Sequence, residues 1–329
     1  MIRSSARTAG AALLAILFAP VFSAVAQQEV PAAPPNGAAP AAPAPATPVF
    51  PKPDPADFTA SSPSKEVVDA FMRANLGFDD NNMWQVQAIQ KTAVDGISRV
   101  VVFVGDKTGK QQPYQFVFFS TPDNKHIIVG DKVIPFGERP FAEYRTMMQQ
   151  RANGPYRGAA AKDLELVEFA DFQCPHCKAA QANMEKLVAD FPKARIVFQS
   201  DPLAKIHPQS ETAAAYGACV AKDAGSTAFF QFVSAVFDGQ DGLSTPDGAT
   251  LTLNSAVTKA GLDPAKISAC AATAETKAAV EASVKLANDL NIASVPTLVI
   301  NGRQVPANAP YDTLKEIIQY QAKADGVAQ

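Results

Sequence analysis

Residues 164–177 read LELVEFADFQCPHC, an apolar strand-like run that ends in two cysteines separated by two residues. A helical pattern begins immediately afterwards, near Lys178. Two intervening residues place both sulfurs on the first turn of a helix, close enough to bond without distorting the backbone. The strand-to-helix context and this spacing predict a redox-active thiol pair at Cys174 and Cys177.

The chemistry of the pair depends on its position at the start of the predicted helix. Unpaired N–H groups and the positive end of the helix dipole stabilise a thiolate at Cys174, lower its pKa and make the disulfide oxidising. Pro175 suits the first helical position, and His176 adds a donor or partial positive charge beside the same sulfur. Two alternatives stay open, namely half of a zinc site and a pair of buried structural cysteines. A zinc site needs four ligands. The other candidate ligands are Cys219, Cys270, His126 and His207, and no two of them form a second close pair in the sequence. Both of these histidines are expected to be structural.

The pattern of elements from residue 160 onward is typical of an α/β thioredoxin-like domain. A βαβ unit is followed by an alanine-rich helical block and a closing β-β-α unit. We predict strands at 164–169 and 194–199, a hairpin at 297–305 around Asn301-Gly302, and a last helix at 311–323. The block between 208 and 290 is interpreted as an inserted helical domain, with helices predicted at 209–223, 226–237, 253–260, 264–272 and 275–290.

Three segments in this region resemble the DsbA-type thiol-disulfide oxidoreductases. They are residues 166–177 with the Cys-Pro-His-Cys site, residues 206–219 beginning IHPQSE, and residues 294–302, SVPTLVING. The resemblance covers residues 160–323. It implies a thioredoxin fold with a helical insert over 159–329, with Cys174 as the exposed nucleophile and Cys177 as the more buried resolving thiol.

The same resemblance implies roles for residues outside the cysteine pair. Glu168 matches the family's buried acid, which relays a proton to or from Cys177; a solvated edge residue is the alternative. Val295 and Pro296 match the cis-proline turn, which faces the active site and offers backbone groups to a substrate peptide.

Two further cysteines, Cys219 and Cys270, fall within the predicted helical insert. Leftover cysteines in an exported protein usually pair, and closing a loop of about 50 residues would contribute roughly 4 kcal/mol. Some DsbA-like proteins carry a second disulfide here. We interpret the pair as a structural disulfide, with two buried free thiols as the alternative.

The first 57 residues are predicted to lie outside any folded domain. Arg3 and Arg7 precede an apolar run and the sequence SAVA at 23–26, which predicts a secretory signal peptide over residues 1–26. An uncleaved anchor is the alternative, although Pro20 interrupts the apolar run. Residues 27–57 are rich in Pro and Ala and are predicted to be a linker, either a tether or filler. Export predicts a periplasmic location.

Residues 58–137 predict a small α+β domain with one helix on an antiparallel sheet. Ser64 can cap a helix that presents Val67, Val68, Phe71 and Met72 on one side. Strands are predicted at 84–91, 97–104, 114–120 and 126–129. Trp84 is expected to pack in the core or an interface.

This arrangement resembles the cystatin-like dimerisation domain of DsbC-type disulfide isomerases, on the residues YQFVFFS at 114–120 and NKHIIVG at 124–130. The resemblance implies a homodimer formed through residues 58–137. Residues 138–158 would form the linking helix, with its helical part at 141–151. The Cys-Pro-His-Cys site departs from the Cys-Gly-Tyr-Cys usual in those isomerases.

Composition limits the remaining possibilities. Residues 58–329 are enough for two domains with their own cores. The net charge is −3, and no basic stripe, Walker loop or Rossmann glycine pattern is present, so neither nucleic acid nor a cofactor is expected. The sequence predicts an oxidase of exported proteins with free thiols, and the DsbA resemblance implies a quinone-linked membrane redox partner. A dimeric isomerase or reductase is the alternative, followed by a holdase or copper-handling protein.

Overall fold

A computed structural model of the protein describes residues 50–109 and 112–327. The chain divides into two compact units, and the boundary falls between Glu138 and Arg139. The predicted signal peptide, residues 1–26, and the linker residues 27–49 lie outside the described residues. In the described part of the chain, no helix has the length and apolar character needed to cross a membrane.

The N-terminal unit is one helix packed on a five-stranded antiparallel sheet. Its elements are α1 (Lys65–Leu76), β1 (Asn82–Lys91), β2 (Ser98–Asp106), β3 (Tyr114–Ser120), β4 (His126–Val129) and β5 (Lys132–Pro135). The strands are ordered β1-β2-β3-β4-β5. The sequence did not predict β5, which is only four residues long and returns antiparallel to β4 directly after Gly130.

The core of this unit forms between α1 and one face of the sheet. Ser64 caps α1 by accepting a hydrogen bond from the Val67 N–H, as predicted. Phe71 of α1 packs against the rings of Phe118 and Phe136, whose centroids lie 6.1 and 5.0 Å away. The predicted helix-on-sheet arrangement is therefore confirmed, whereas the resemblance to a cystatin-like domain stays a prediction.

The predicted linker extends too far at its C-terminal end, because residues 50–57 belong to the N-terminal unit. The Phe50 ring stacks on Phe103 at 5.8 Å, and the Pro51 carbonyl accepts a hydrogen bond from Gln85. Asp54 then caps a short 3₁₀ helix, Pro55–Asp57. Composition alone did not indicate this boundary, because the aromatic and capping contacts form with residues far along the chain.

The C-terminal unit contains the remaining elements. They are α2 (Ala142–Arg151), β6 (Tyr156–Gly158), β7 (Glu165–Ala170), α3 (Pro175–Asp190), β8 (Arg195–Ser200), α4 (Ser210–Asp238), α5 (Pro246–Lys259), α6 (Pro264–Ala271), α7 (Ala274–Asp289), β9 (Thr297–Ile300), β10 (Arg303–Pro306) and α8 (Tyr311–Ala324). The sheet order is β10-β9-β7-β8-β6. Only β7 and β8 are parallel, and β7 at the centre is buried along its whole length.

The segment predicted as a linking helix at 138–158 is different in the structure. Its helix, α2, packs into the core of the C-terminal unit, where Tyr144 and Met148 belong to the same hydrophobic cluster as Val167 and Phe169 of β7. The helix ends at Arg151, and Tyr156–Gly158 then pairs with β8 as an edge strand. A three-residue strand carries too little alternation to be detected in sequence.

The helical insert follows β8 and covers α4 to α7. The two helices predicted at 209–223 and 226–237 form one run that kinks at Gly225, whose backbone is left-handed (φ 75°). Helix α5 begins at Pro246, earlier than predicted, because Thr245 caps it by accepting from the Gly248 N–H. The predicted hairpin turn has Asn301 and Gly302 at positive φ.

Candidate functional site

The cysteine pair lies at the carboxyl end of β7, where α3 begins. Cys174 is the N-cap residue of α3, and Cys177 lies on its first turn. Both are free thiols in the structure. Cys177 is fully buried, but Cys174 is itself only 5% exposed, so the expectation of an exposed nucleophile is wrong in degree. The exposed residues of the motif are Pro175 and His176.

The two thiols have opposite electrostatic environments. A hydrogen bond from the Cys177 thiol, together with the backbone N–H groups of Cys177 and His176, lowers the pKa of Cys174 to about 6 against an opposing effect of burial. The same hydrogen bond and burial raise the pKa of Cys177. At neutral pH the pair therefore holds one thiolate at Cys174 and one proton at Cys177.

Glu168 lies on the central strand β7, beneath the cysteine helix. It is 2% exposed, so the alternative of a solvated edge residue is wrong. Burial raises the pKa of its carboxyl to about 7, although a 2.8 Å hydrogen bond from the Gln181 side chain favours the ionised form. Gln181 also donates to the Cys177 carbonyl at 3.2 Å. A carboxyl with this pKa can hold or release a proton near pH 7.

Val295 and Pro296 approach the cysteine pair from the loop before β9. The Val295–Pro296 peptide bond is cis. The carbonyl oxygen of Val295 lies 4.0 Å from the Cys174 Sγ, which places this loop directly against the candidate nucleophile. The structure thus brings together Cys174, Cys177, Glu168 and the proline loop.

The loop that precedes α3 is fastened to the helical insert by contacts that the sequence did not predict. The Gln240 side chain donates to the carbonyls of Phe172 at 2.8 Å and Cys174 at 3.0 Å. The Gln173 side chain donates to the Leu243 carbonyl at 3.0 Å and accepts from a backbone N–H at the start of α4 at 2.8 Å. The insert therefore fixes the backbone on which the cysteines are carried.

A buried contact between a histidine and a carboxylate beside the thiols was not predicted from the sequence. The Nδ1 atom of His207 lies 2.8 Å from the Asp171 Oδ2. The backbone N–H of Asp171 points to the Cys177 Sγ at 3.4 Å. Asp201, at the end of β8, has its carboxyl pKa raised to about 6 by burial and by the charge of Asp171. The only signal in sequence was that Asp171 directly follows a buried strand.

The second cysteine pair is separate from this site. Cys219 of α4 and Cys270 of α6 are joined by a disulfide, with their Cα atoms 6.0 Å apart. The disulfide packs against the Thr276 hydroxyl, which lies 3.3 Å from the Cys219 sulfur.

His126 contacts Asp123 in the N-terminal unit. Among the residues that the structure describes, no three His, Cys, Asp or Glu side chains are grouped to hold a metal ion.

The sheet order and the cysteine-bearing helix at the end of its central strand define a thioredoxin-like domain with a helical insert. A family model described as thioredoxin matches residues 150–320. The chain therefore belongs to this thioredoxin family.

The curated relatives are much longer than the segments that match this chain. The chain is 26% identical over 156 residues to the Na(+)/H(+) antiporter NhaA 3 of Salinispora tropica, a match that covers 47% of this chain and 22% of that protein. The chain thus spans less than a quarter of this relative.

Two solved structures are similar to about half of this chain. A periplasmic thioredoxin-like protein from Salmonella enterica serovar Typhimurium is 20% identical, with 55% of this chain and 97% of that one covered and a TM-score of 0.45. A thioredoxin-like oxidoreductase from Silicibacter pomeroyi DSS-3 is 26% identical, with 54% and 98% covered and a TM-score of 0.46.

Proposed function

We propose that this protein is a thiol-disulfide oxidoreductase that introduces disulfides into exported proteins through Cys174 and Cys177. The observation that carries the proposal is the contrast between the two thiols. The pKa of Cys174 is lowered to about 6, whereas that of Cys177 is raised. A stabilised Cys174 thiolate stabilises the reduced protein, and its disulfide is correspondingly oxidising.

In the reaction, a substrate thiolate attacks the Cys174 sulfur of the oxidised pair. The Cys174–Cys177 bond breaks, a mixed disulfide forms at Cys174, and Cys177 leaves as a thiolate. A second substrate thiolate then attacks the substrate sulfur of the mixed disulfide and releases the Cys174 thiolate. The substrate gains one disulfide, and the protein takes up two electrons. The low pKa of Cys174 makes it the better leaving group in this second step.

Glu168 is the proposed proton relay for Cys177. The departing Cys177 thiolate is fully buried and must be protonated, because an unpaired charge in that position is costly. Glu168 is buried beneath it, and the pKa of its carboxyl is about 7, so it can supply this proton. Gln181 contacts both the Glu168 carboxyl and the Cys177 carbonyl and holds the acid in place.

The loop at Val295 and Pro296 is the proposed substrate-binding element. The Val295 carbonyl lies beside the Cys174 sulfur. An extended peptide that pairs with backbone groups of the loop would bring its cysteine to Cys174. We propose exported proteins with free thiols as substrates, in the periplasm, with regeneration by a quinone-linked membrane oxidoreductase.

The reduction potential of the Cys174–Cys177 pair tests the proposal. The protein is equilibrated in glutathione buffers, and alkylated thiols are counted by mass. A potential near that of DsbA, about −120 mV, supports an oxidase; a potential of about −180 mV or lower contradicts it and favours an isomerase or reductase. The Cys174→Ser/Cys177→Ser variant, which retains Cys219 and Cys270, is the matched control for alkylation elsewhere.

Two variants test the chemistry itself. Cys174→Ser is expected to abolish oxidation of a model dithiol peptide, and Cys177→Ser is expected to trap a mixed disulfide with it. Retained oxidation in the first variant contradicts the assignment of the nucleophile. Tight Cu(I) binding with negligible thiol exchange would support a copper-handling protein instead.

A dimeric disulfide isomerase is the second candidate function, favoured by an apolar row on the N-terminal sheet. Phe119 of β3, Ile128 of β4 and Val133 of β5 lie in register on one face. Phe119 is 39% exposed and Val133 is 51% exposed, which suits contact with a second copy. A monomer at micromolar concentration, measured by analytical ultracentrifugation, would contradict this function.

A further inference from the structure

Asp171 is a buried carboxylate that closes the loop before α3. Its Oδ1 atom accepts a hydrogen bond from the Gln173 N–H at 2.7 Å. Its Oδ2 atom accepts from the Leu203 N–H at 2.8 Å and contacts the Nδ1 of His207 at 2.8 Å. The Asp171 side chain is completely inaccessible to solvent, whereas that of His207 is 17% exposed. Of these three partners, only the imidazole can carry a positive charge.

Asp171 acts on both sulfurs of the redox pair, through its charge on Cys174 and through its backbone N–H on Cys177. It acts against the thiolate of Cys174, because it raises the pKa of that thiol in opposition to the helix N–H groups. The backbone N–H of the same residue points to the Cys177 sulfur at 3.4 Å. A change in the ionic state or position of Asp171 would therefore be felt at the thiols directly.

We propose that His207 and Asp171 are positioning residues of the thiol site, in which a protonated His207 offsets the Asp171 carboxylate and so sets how readily Cys174 holds a negative charge. This inference rests on the proposed thiol exchange and assigns a regulation of the same site. Neither residue contacts the substrate in this role.

The cost of burying an ion supports this assignment. An ionised carboxylate without solvent is stable only when hydrogen bonds and a countercharge compensate for lost hydration. The two backbone N–H groups supply hydrogen bonds but no net charge, and His207 supplies the charge. The other titratable groups around the pair are Asp201 at the end of β8 and, on α3, the two cysteines and the exposed His176 between them, with Glu168 of β7 acting on Cys177. The insert contacts this loop through uncharged groups, including Gln240 and the Leu243 carbonyl.

The proposal has a direct consequence for the thiol. If the charge of His207 is removed, the Asp171 carboxylate is left uncompensated beside Cys174. The thiolate is then disfavoured and the disulfide becomes less oxidising.

Two charge-removing variants of similar shape test the pair. The Cys174 thiolate of the reduced protein is titrated by its absorbance at 240 nm. Asp171→Asn is expected to lower the pKa of Cys174 by at least about half a unit, and His207→Gln to raise it by a similar amount. In the double variant the effect of His207→Gln is expected to vanish, because the carboxylate is gone.

Opposite shifts are the signature that a purely structural role would not produce. Shifts in the same direction, or no shift in either variant, would overturn the proposal. His126→Gln is the matched control, because it removes a histidine that contacts Asp123 at 3.0 Å in the N-terminal unit. It is expected to leave the pKa of Cys174 unchanged.

A measurement on the unaltered protein covers the case in which a variant fails to fold. The chain has three histidines, so the ring nitrogens of His207 can be assigned by NMR. Both ring nitrogens of His207 are expected to carry protons in the reduced protein at neutral pH, and a neutral ring there would overturn the proposal. Neither readout needs turnover. If the protein fails to oxidise dithiols, the proposed function is contradicted. The absorbance titration of Cys174 and the NMR measurement would still decide the role of His207.

Discussion

Replacing Glu168 by Gln is expected to stabilise the C-terminal unit, and increasingly so as the pH rises. Burial raises the pKa of this carboxyl from an ordinary 4.5 to about 7. An acid with a raised pKa in the folded state contributes its full stability below pH 4.5, and that contribution is lost as the pH rises through 7. From this difference in pKa, ionisation of Glu168 lowers the free energy of unfolding by about 3 kcal/mol well above pH 7. About 2.5 kcal/mol of that loss develops between pH 5 and pH 8.5.

The glutamine variant isolates this ionisation. A glutamine has the same shape, and its carbonyl oxygen can accept the hydrogen bond that Gln181 donates to Glu168. It has no carboxyl to ionise. Because the wild type bears the cost of a buried charge at high pH and the variant does not, the gap in the free energy of unfolding should widen with pH.

The assay is urea unfolding of both reduced proteins at pH 5 and pH 8.5. Far-ultraviolet circular dichroism follows the helices. Of the eight α-helices in the described residues, seven, α2 to α8, lie in the C-terminal unit. The single tryptophan, Trp84, lies on β1 and reports on the N-terminal unit as an internal control. The variant should gain about 2 to 3 kcal/mol more at pH 8.5 than at pH 5 by dichroism, with no difference by fluorescence. An equal gain at both pH values would refute the buried-acid argument.

Three other changes have definite expected outcomes. Cys177→Ala should raise the pKa of Cys174 by about one unit because a hydrogen bond to the thiolate is lost, while Cys177→Ser keeps a donor and shifts it less; equal titrations of the two variants at 240 nm would contradict this. Cys219→Ala/Cys270→Ala opens a cross-link between residues 51 apart and should cost about 4 kcal/mol in urea unfolding, and an unchanged midpoint would count against a stabilising role. Gln240→Ala removes two hydrogen bonds and should lower the free energy of unfolding by about 1 to 3 kcal/mol. Gln240→Glu keeps the side-chain length but donates neither bond, so it should be destabilised as much. An alanine variant as stable as the wild type would show that these bonds do not hold the loop.

The features that the sequence predicted correctly depend on neighbouring residues. The Ser64 cap requires only an N–H three residues further on, and the hairpin at Asn301-Gly302 requires only two adjacent strands. The cysteine spacing likewise acts within one helical turn. The thioredoxin-like order of strands and helices could be predicted for the same reason, since each element has its own periodicity.

The features that were missed depend on residues distant in the chain. Gln240 reaches the Cys174 carbonyl across 66 positions, and His207 reaches Asp171 across 36. Neither residue differs locally from other polar residues in loops or helices. The near-complete burial of Cys174 was missed because the insert packs around it, and that packing is a property of the folded unit rather than of the tetrapeptide.

The distances along the chain between these contacts determine when the loop around the thiol pair can be completed during synthesis. Cys174 and Cys177 leave the ribosome well before Gln240, and the loop at Val295, 121 positions after Cys174, follows later still. Until those segments arrive, the Gln240 hydrogen bonds that hold the loop before α3 and the Val295 carbonyl beside the Cys174 sulfur are missing. The complete site therefore forms only when the C-terminal unit is essentially finished, although the groups that lower the pKa of Cys174 lie within one helical turn of it.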